Sequence, residues 1–232
     1  MATARALLPR LGTLALNLGS FAVTLLAWSS VESTRFGASA SAAIIVGGIV
    51  LIVPACMAAR WWLDRDPTPR RRYAATFAVH WVVMILLGAA IIEAIETGRA
   101  WRGWMLPLPA SVGWALMWIT GAAGVLCVLN LAVRGLGAPW TIALSRRLAT
   151  DWLYRWTRNP MGFATAAFLV AVGLWLQSAL FVAWAVLLVT PAWLLFVKIF
   201  EERELELRFG EEYRSYKART PMFIPGPARA RG

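Results

Sequence analysis

The chain has 232 residues, 59% of them hydrophobic and 15% charged, with a formal net charge of +11. So much apolar side chain, at a mean hydropathy of +0.62, exceeds what one soluble core of this length can hide. A transmembrane β-barrel is excluded as well, because its strands would read as short alternating segments. Nor does the positive charge point to nucleic acid, since the arginines cluster in loops beside apolar runs, as they do opposite anionic lipid.

Arg5 and Arg10 precede an apolar run from Leu11 to Trp28. No convincing small-x-small cleavage site follows, so the run reads as an uncleaved first span and not as a signal peptide. In all, the apolar stretches predict six spans, over 11–30, 38–59, 74–95, 105–133, 161–177 and 179–200. Each is close to the length that crosses ~30 Å of hydrocarbon. The expected fold is therefore all-α, a polytopic transmembrane helical bundle.

The run ASASAAIIVGG (38–48) in the second span reads as a site of close helix packing. Loop 60–73 carries Arg60, Arg65, Arg70, Arg71 and Arg72 against Asp64 and Asp66. His80, the only histidine, falls mid-span beside Trp81. An intramembrane ionisable group is a functional candidate, but a neutral imidazole bonded to a neighbouring helix is the plainer expectation. Glu93 and Glu96 read as boundary residues at the far end of the third span. Segment 134–158 is basic again, with Arg134, Arg146, Arg147, Arg155 and Arg158 against Asp151. Cys56 and Cys127 lie inside apolar runs without metal-ligand spacing and read as small buried residues; no metal site is expected. Placing the strongly basic loops in the cytoplasm makes every crossing consistent and puts both termini inside. Trp61, Trp62, Trp101, Trp104, Trp140, Trp152 and Trp156 near span ends suit an aromatic belt.

The charge pattern concentrates interest at the fifth and sixth spans. Pro160 suits a first helical turn, where its missing N–H costs nothing. An uncharged turn at Gln177 and Ser178 sends the chain back, so Arg158 and Asn159 should meet Glu201 and Glu202 at one mouth. Six of the 12 acids lie within 201–212. Glu204 and Arg208 are spaced to pair at i,i+4, and Glu212 and Tyr216 to be polar neighbours. Glu204, Glu206 and Glu211 read as a solvated helix end. Glu201 and Glu202 sit at the membrane boundary, where an unpaired carboxylate is costly. Pro191 should kink the sixth span, Lys198 should snorkel to the surface, and Arg155 with Trp156 should anchor the loop.

A helix N-terminus with an arginine favours an anion such as a carboxylate. Paired carboxylates favour an ammonium, a sulfonium or ribose hydroxyls. S-adenosylmethionine carries all of these groups. A nicotinamide dinucleotide phosphate would want more cationic groups, and no Gly-rich phosphate loop is present.

Arg158-Asn159-Pro160-Met161-Gly162-Phe163-Ala164, then Glu201-Glu202, then Phe209-Gly210-Glu211-Glu212-Tyr213-Arg214-Ser215-Tyr216 and TPMFIP (220–225) follow in order. In order and spacing they resemble the isoprenylcysteine carboxyl methyltransferase and phospholipid methyltransferase group of integral membrane enzymes. The resemblance covers 134–225, with 1–133 as four preceding spans and 226–232 as a loose tail. Asn159 stands where the family pattern has histidine, Gly162 where it has tyrosine, and Ala164 where it has glycine.

The resemblance implies a multi-pass enzyme of the inner membrane that moves a methyl group from S-adenosylmethionine to a small lipophilic or lipid-like acceptor reaching it from the bilayer. It implies that Arg158, Glu201 and Glu202 hold cofactor or orient the acceptor, with Asn159, Pro160 and Met161 beside the methionine moiety. Tyr213 and Tyr216 would close over the nucleoside. Phe163 would stand in part for the family tyrosine. A carboxylate acceptor needs no base, whereas an amine or thiol does, with Glu201 or Glu202 as candidates. A reductase of the same helical architecture and a non-catalytic protein retaining the fold are the alternatives.

Overall fold

The structure is a computed structural model and describes residues 2–100, 103–133 and 147–227, with side chains from residue 12 onward. Trp101, Arg102, Arg134, Trp140 and Arg146, and the side chains of Arg5 and Arg10, lie outside the described residues. Helix α1 spans Ala2–Ser33, α2 Ala38–Arg65, α3 Pro69–Ala100, α4 Ala110–Val133, α5 Pro160–Trp175, α6 Ala179–Phe209 and α7 Glu211–Arg219. Among the described residues the only strand-like feature is an isolated bridge between Met105 and Ser178.

Five of these helices, α1 to α4 and α6, are long and apolar enough to cross a membrane. The sequence predicts a sixth span at 161–177, and an apolar helix does form there. At 16 residues it reaches about 24 Å, short of the ~30 Å hydrocarbon layer. Lipid-facing character is plain elsewhere: Leu26, Trp118, Ile119 and Leu187 are exposed, as apolar residues are on a face that lipid solvates. Trp61, Trp104, Trp152 and Trp156 are also exposed near helix ends, and the Arg65 guanidinium lies 3.8 Å over the Trp61 ring.

The core lies between α2, α3 and α6, with Ile49, Cys56, Val79, Val83, Phe181, Val189, Phe196 and Phe200 buried together. Helix α4 lies along α5 and crosses it closely at Gly113, where an added Cβ would stand 2.1 Å from the Trp175 backbone nitrogen. The α5–α6 hairpin is set by local chemistry. Asn159 caps α5 by accepting from the Gly162 N–H at 2.8 Å, with Pro160 in the first turn. Gln177 adopts a positive φ of 54°, and Ser178 caps α6 by accepting from Phe181 N–H.

Helix α6 runs through Pro191 with two widened π turns, Ala185–Val189 and Val197–Glu201. The first lies just before the proline, whose ring and missing N–H disturb that part of the ladder. Thr190 Oγ1 donates to the Ala185 carbonyl at 2.8 Å. The second ends on Glu201 and so sets the direction of the acidic pair.

Two expectations are corrected here, at Glu93 and Glu204. Glu93 is not a boundary residue: it is buried, and Ser41 of α2 donates to its carboxyl. Part of the basic loop braces α6 as well as facing outward. Arg203 donates to Asp64 at 2.7 Å, and Arg60 and Arg72 reach the carbonyls of Ile199 and Leu207. Glu204 is not solvated: it is buried against Arg208, its i,i+4 partner. Gly210, whose φ is 57°, turns the chain so that α7 folds back and Lys217 reaches Glu202 and Glu206. Glu211, by contrast, is an exposed i,i+3 partner of Arg214.

Candidate functional site

The hairpin brings the N-terminus of α5 to the C-terminal part of α6, and α7 closes the arrangement. Arg158 is its hub. Its Nη2 donates to Glu202 Oε1 at 2.6 Å, and its Nη1 to the carbonyls of Lys217 and Thr220 at 2.7 and 2.6 Å. Its backbone N–H donates to the Pro221 carbonyl. Glu202 is 4% exposed, and its second oxygen meets Lys217 Nζ at 2.6 Å. Lys217 also reaches Glu206 at 3.0 Å, so Glu206 is not merely solvated. Burial lowers the Lys217 pKa, but the hydrogen bonds of Glu202 and Glu206 outweigh it and hold the ammonium above its ordinary value.

The segment after α7 is strapped across this hub. Thr157 Oγ1 donates to the Phe223 carbonyl at 2.9 Å, and Gly226 N–H to the Trp156 carbonyl at 3.0 Å. The start of the expected loose tail is thus tied down at Gly226. Tyr216 donates its hydroxyl to the Tyr154 carbonyl at 2.6 Å. This turns it inward, away from the expected neighbour Glu212, which is exposed. Tyr213 lies 6.2 Å from it, ring to ring, and both are buried.

Burial pushes the Tyr216 pKa above its ordinary value, with Arg158 working the other way. A pKa raised on folding contributes stability below the unfolded value of about 10, and that stability is lost as pH rises further. Thermal stability, followed by tryptophan fluorescence in detergent, is therefore expected to fall steeply above about pH 10. Tyr216→Phe should start lower but decline more gently with pH. An equally steep decline in that variant would show that Tyr216 does not carry the effect.

Successive residues on a helix point about 100° apart, and the two glutamates separate accordingly. Glu202 faces Arg158, as the sequence predicts. Glu201 faces α3, where its Oε1 stands 3.8 Å from His80 Nε2. The His80 expectation is thereby corrected: Nδ1 is satisfied within α3 by the Thr76 carbonyl at 2.8 Å, and the ring sits level with the mouth.

Gly162 marks a second feature the sequence hides. A Cβ there would meet Trp193 Nε1 at 2.3 Å and Asn159 Oδ1 at 2.5 Å. The indole of Trp193, from α6, occupies the space of a side chain at 162. Phe163, the expected stand-in, is half-exposed and packs edge-on against Phe223 of the strap. Trp193 Nε1, Asn159 Nδ2 and Arg158 Nε are buried polar atoms without a hydrogen-bond partner. Three unpaired donors at one helix N-terminus suit an oxyanion. Pro160 is buried and Met161 half-buried beside them. No group of His, Cys, Asp and Glu among the described residues would hold a metal.

Long apolar helices that converge on a charged, hydrogen-bonded mouth define a multi-helix membrane protein with an internal polar site. Residues 110–212 of the chain match the family model described as Phospholipid methyltransferase. This part of the chain thus carries the pattern of membrane methyltransferases that the sequence resembles. The match starts earlier than 134, taking in α4, and ends before Tyr213 and the strap. No curated protein and no solved structure matches the chain.

Proposed function

We propose that the protein is an integral membrane methyltransferase that uses S-adenosylmethionine to methylate a small lipophilic or lipid-like acceptor. The observation that carries this reading is the set of unpaired buried donors on Asn159, Trp193 and Arg158, gathered around the start of α5 and inside the family match. Those residues fit the cofactor. Asn159 and Trp193 would take its carboxylate beside Pro160 and Met161, and Glu201, which faces His80 of α3, would orient the acceptor. When bound, S-adenosylmethionine supplies a methyl group on a sulfonium centre that is open to in-line displacement.

The chain's own residues position and seclude. Arg158, Glu202 and Lys217 hold α7 and the strap over the mouth, and Tyr213 and Tyr216 support the wall beside the nucleoside. Positioning and exclusion of water account for much of such a rate enhancement. The basic residues around this end favour a cytoplasmic mouth in the inner membrane. Calorimetric titration of the purified protein with S-adenosylhomocysteine should show binding, and NADPH should show none. Binding of NADPH without S-adenosylhomocysteine would replace this reading by a reductase.

A further inference from the structure

We infer that His80 and Glu201 form the acceptor subsite, and that they select an acceptor bearing an N–H, S–H or O–H proton, which His80 Nε2 removes. This rests on the proposed methyltransferase reading and deepens it.

The inference starts from the tautomer. His80 Nδ1 lies 2.8 Å from the Thr76 carbonyl oxygen, which can only accept, so Nδ1 carries a proton, and in the neutral ring Nε2 presents a lone pair. The ring is held further by an edge-on contact with Phe196, 5.3 Å between centroids. Nε2 then faces Glu201 Oε1 at 3.8 Å. That separation is too long for a direct hydrogen bond, and with the ring neutral both atoms are acceptors. Two acceptors so placed are satisfied together by a donor group that bridges them. Both side chains are partly exposed, 16% for His80 and 33% for Glu201, so a ligand reaches them.

Glu202, one residue on, is fully engaged by Arg158 and Lys217 and is not available as a base. The nearby Arg60 is turned to the Ile199 carbonyl. Among the described residues no arginine or lysine pairs with Glu201, so its carboxylate supports positive charge developing on the imidazole. Where the family pattern has a histidine, this chain has Asn159; His80 brings an imidazole to the mouth from a different helix.

The chemistry balances. The acceptor's lone pair forms the new bond to the methyl carbon as the carbon–sulfur bond breaks, its electron pair staying on sulfur, which becomes a neutral thioether. The acceptor's N–H, S–H or O–H bond breaks, and its proton passes to Nε2. A carboxylate acceptor has no such proton and would be repelled by Glu201.

Because His80 is the only histidine, nitrogen NMR of histidine-labelled protein reports on this ring alone. With S-adenosylhomocysteine saturating, the Nε2 signal should be that of an unprotonated nitrogen and should shift saturably with decylamine and decanethiol but not with decanoate. Glu201→Gln should weaken the amine response about tenfold, as expected for a lost charged hydrogen bond, with S-adenosylhomocysteine affinity retained as proof of folding. If that variant does not fold, the three-compound series on the wild type decides. Response to decanoate, or none to the amine and thiol, overturns the inference while the cofactor reading stands. Failure of S-adenosylhomocysteine to bind the wild type overturns both.

Discussion

Replacing Glu202 by alanine is expected to cost more stability than any other single change at the mouth and to abolish cofactor binding. Glu202 is 4% exposed and holds Arg158 at 2.6 Å and Lys217 at 2.6 Å. Its removal leaves the largely buried Arg158 guanidinium without its carboxylate, a loss of about 3–5 kcal/mol for a broken buried pair, while Lys217 keeps Glu206. Arg158 is also the residue that grips the Lys217 and Thr220 carbonyls, so α7 and the strap should loosen together. Thermal unfolding in detergent and limited proteolysis after residue 210 report the two effects. Glu202→Gln, which keeps an acceptor for Arg158, should fall between. Glu211→Ala removes an exposed i,i+3 pair and should change stability by less than about 0.5 kcal/mol. Equal effects of the Glu202 and Glu211 substitutions would contradict the clamp.

The second large effect is expected at Gly162. Restoring the family tyrosine there should damage this protein, because a Cβ alone would meet Trp193 Nε1 at 2.3 Å. The cost is put at about 1–3 kcal/mol or more for overpacking, with loss of the Asn159 cap on α5 in addition. Trp193→Ala alone leaves a cavity and also destabilises. The double variant Gly162→Tyr, Trp193→Ala should recover part of the stability lost by Gly162→Tyr, since the phenol then fills the space of the indole. That non-additivity is the signature of two side chains competing for one volume. Strict additivity would mean that Trp193 does not stand in for the tyrosine.

These residues also show what the sequence makes legible. The meeting of Arg158 and Glu202, 44 positions apart, follows from a hairpin of two helices with a turn at Gln177 and Ser178, so topology alone suffices. The contacts of Glu201 with His80, and of Trp193 with Gly162, depend on how each helix is rotated about its axis. In helices that are apolar nearly all round, no hydrophobic stripe records that rotation. The π turn at Val197–Glu201 alters the rotation again just before the acidic pair. Glu206 reads as solvated because nothing local reveals that α7 folds back after Gly210 and brings Lys217 to it. The one legible hint of His80 is its chemistry, a lone ionisable ring in an apolar span.

The most direct measurement of the central claim is methyl transfer itself. Membranes containing the protein, mixed with vesicles of total polar lipid and S-adenosylmethionine tritiated on its methyl group, should accumulate organic-extractable tritium. Membranes carrying Glu202→Ala should not. Counts no higher with the wild type than with that variant, in protein that binds S-adenosylhomocysteine, would contradict a lipophilic acceptor.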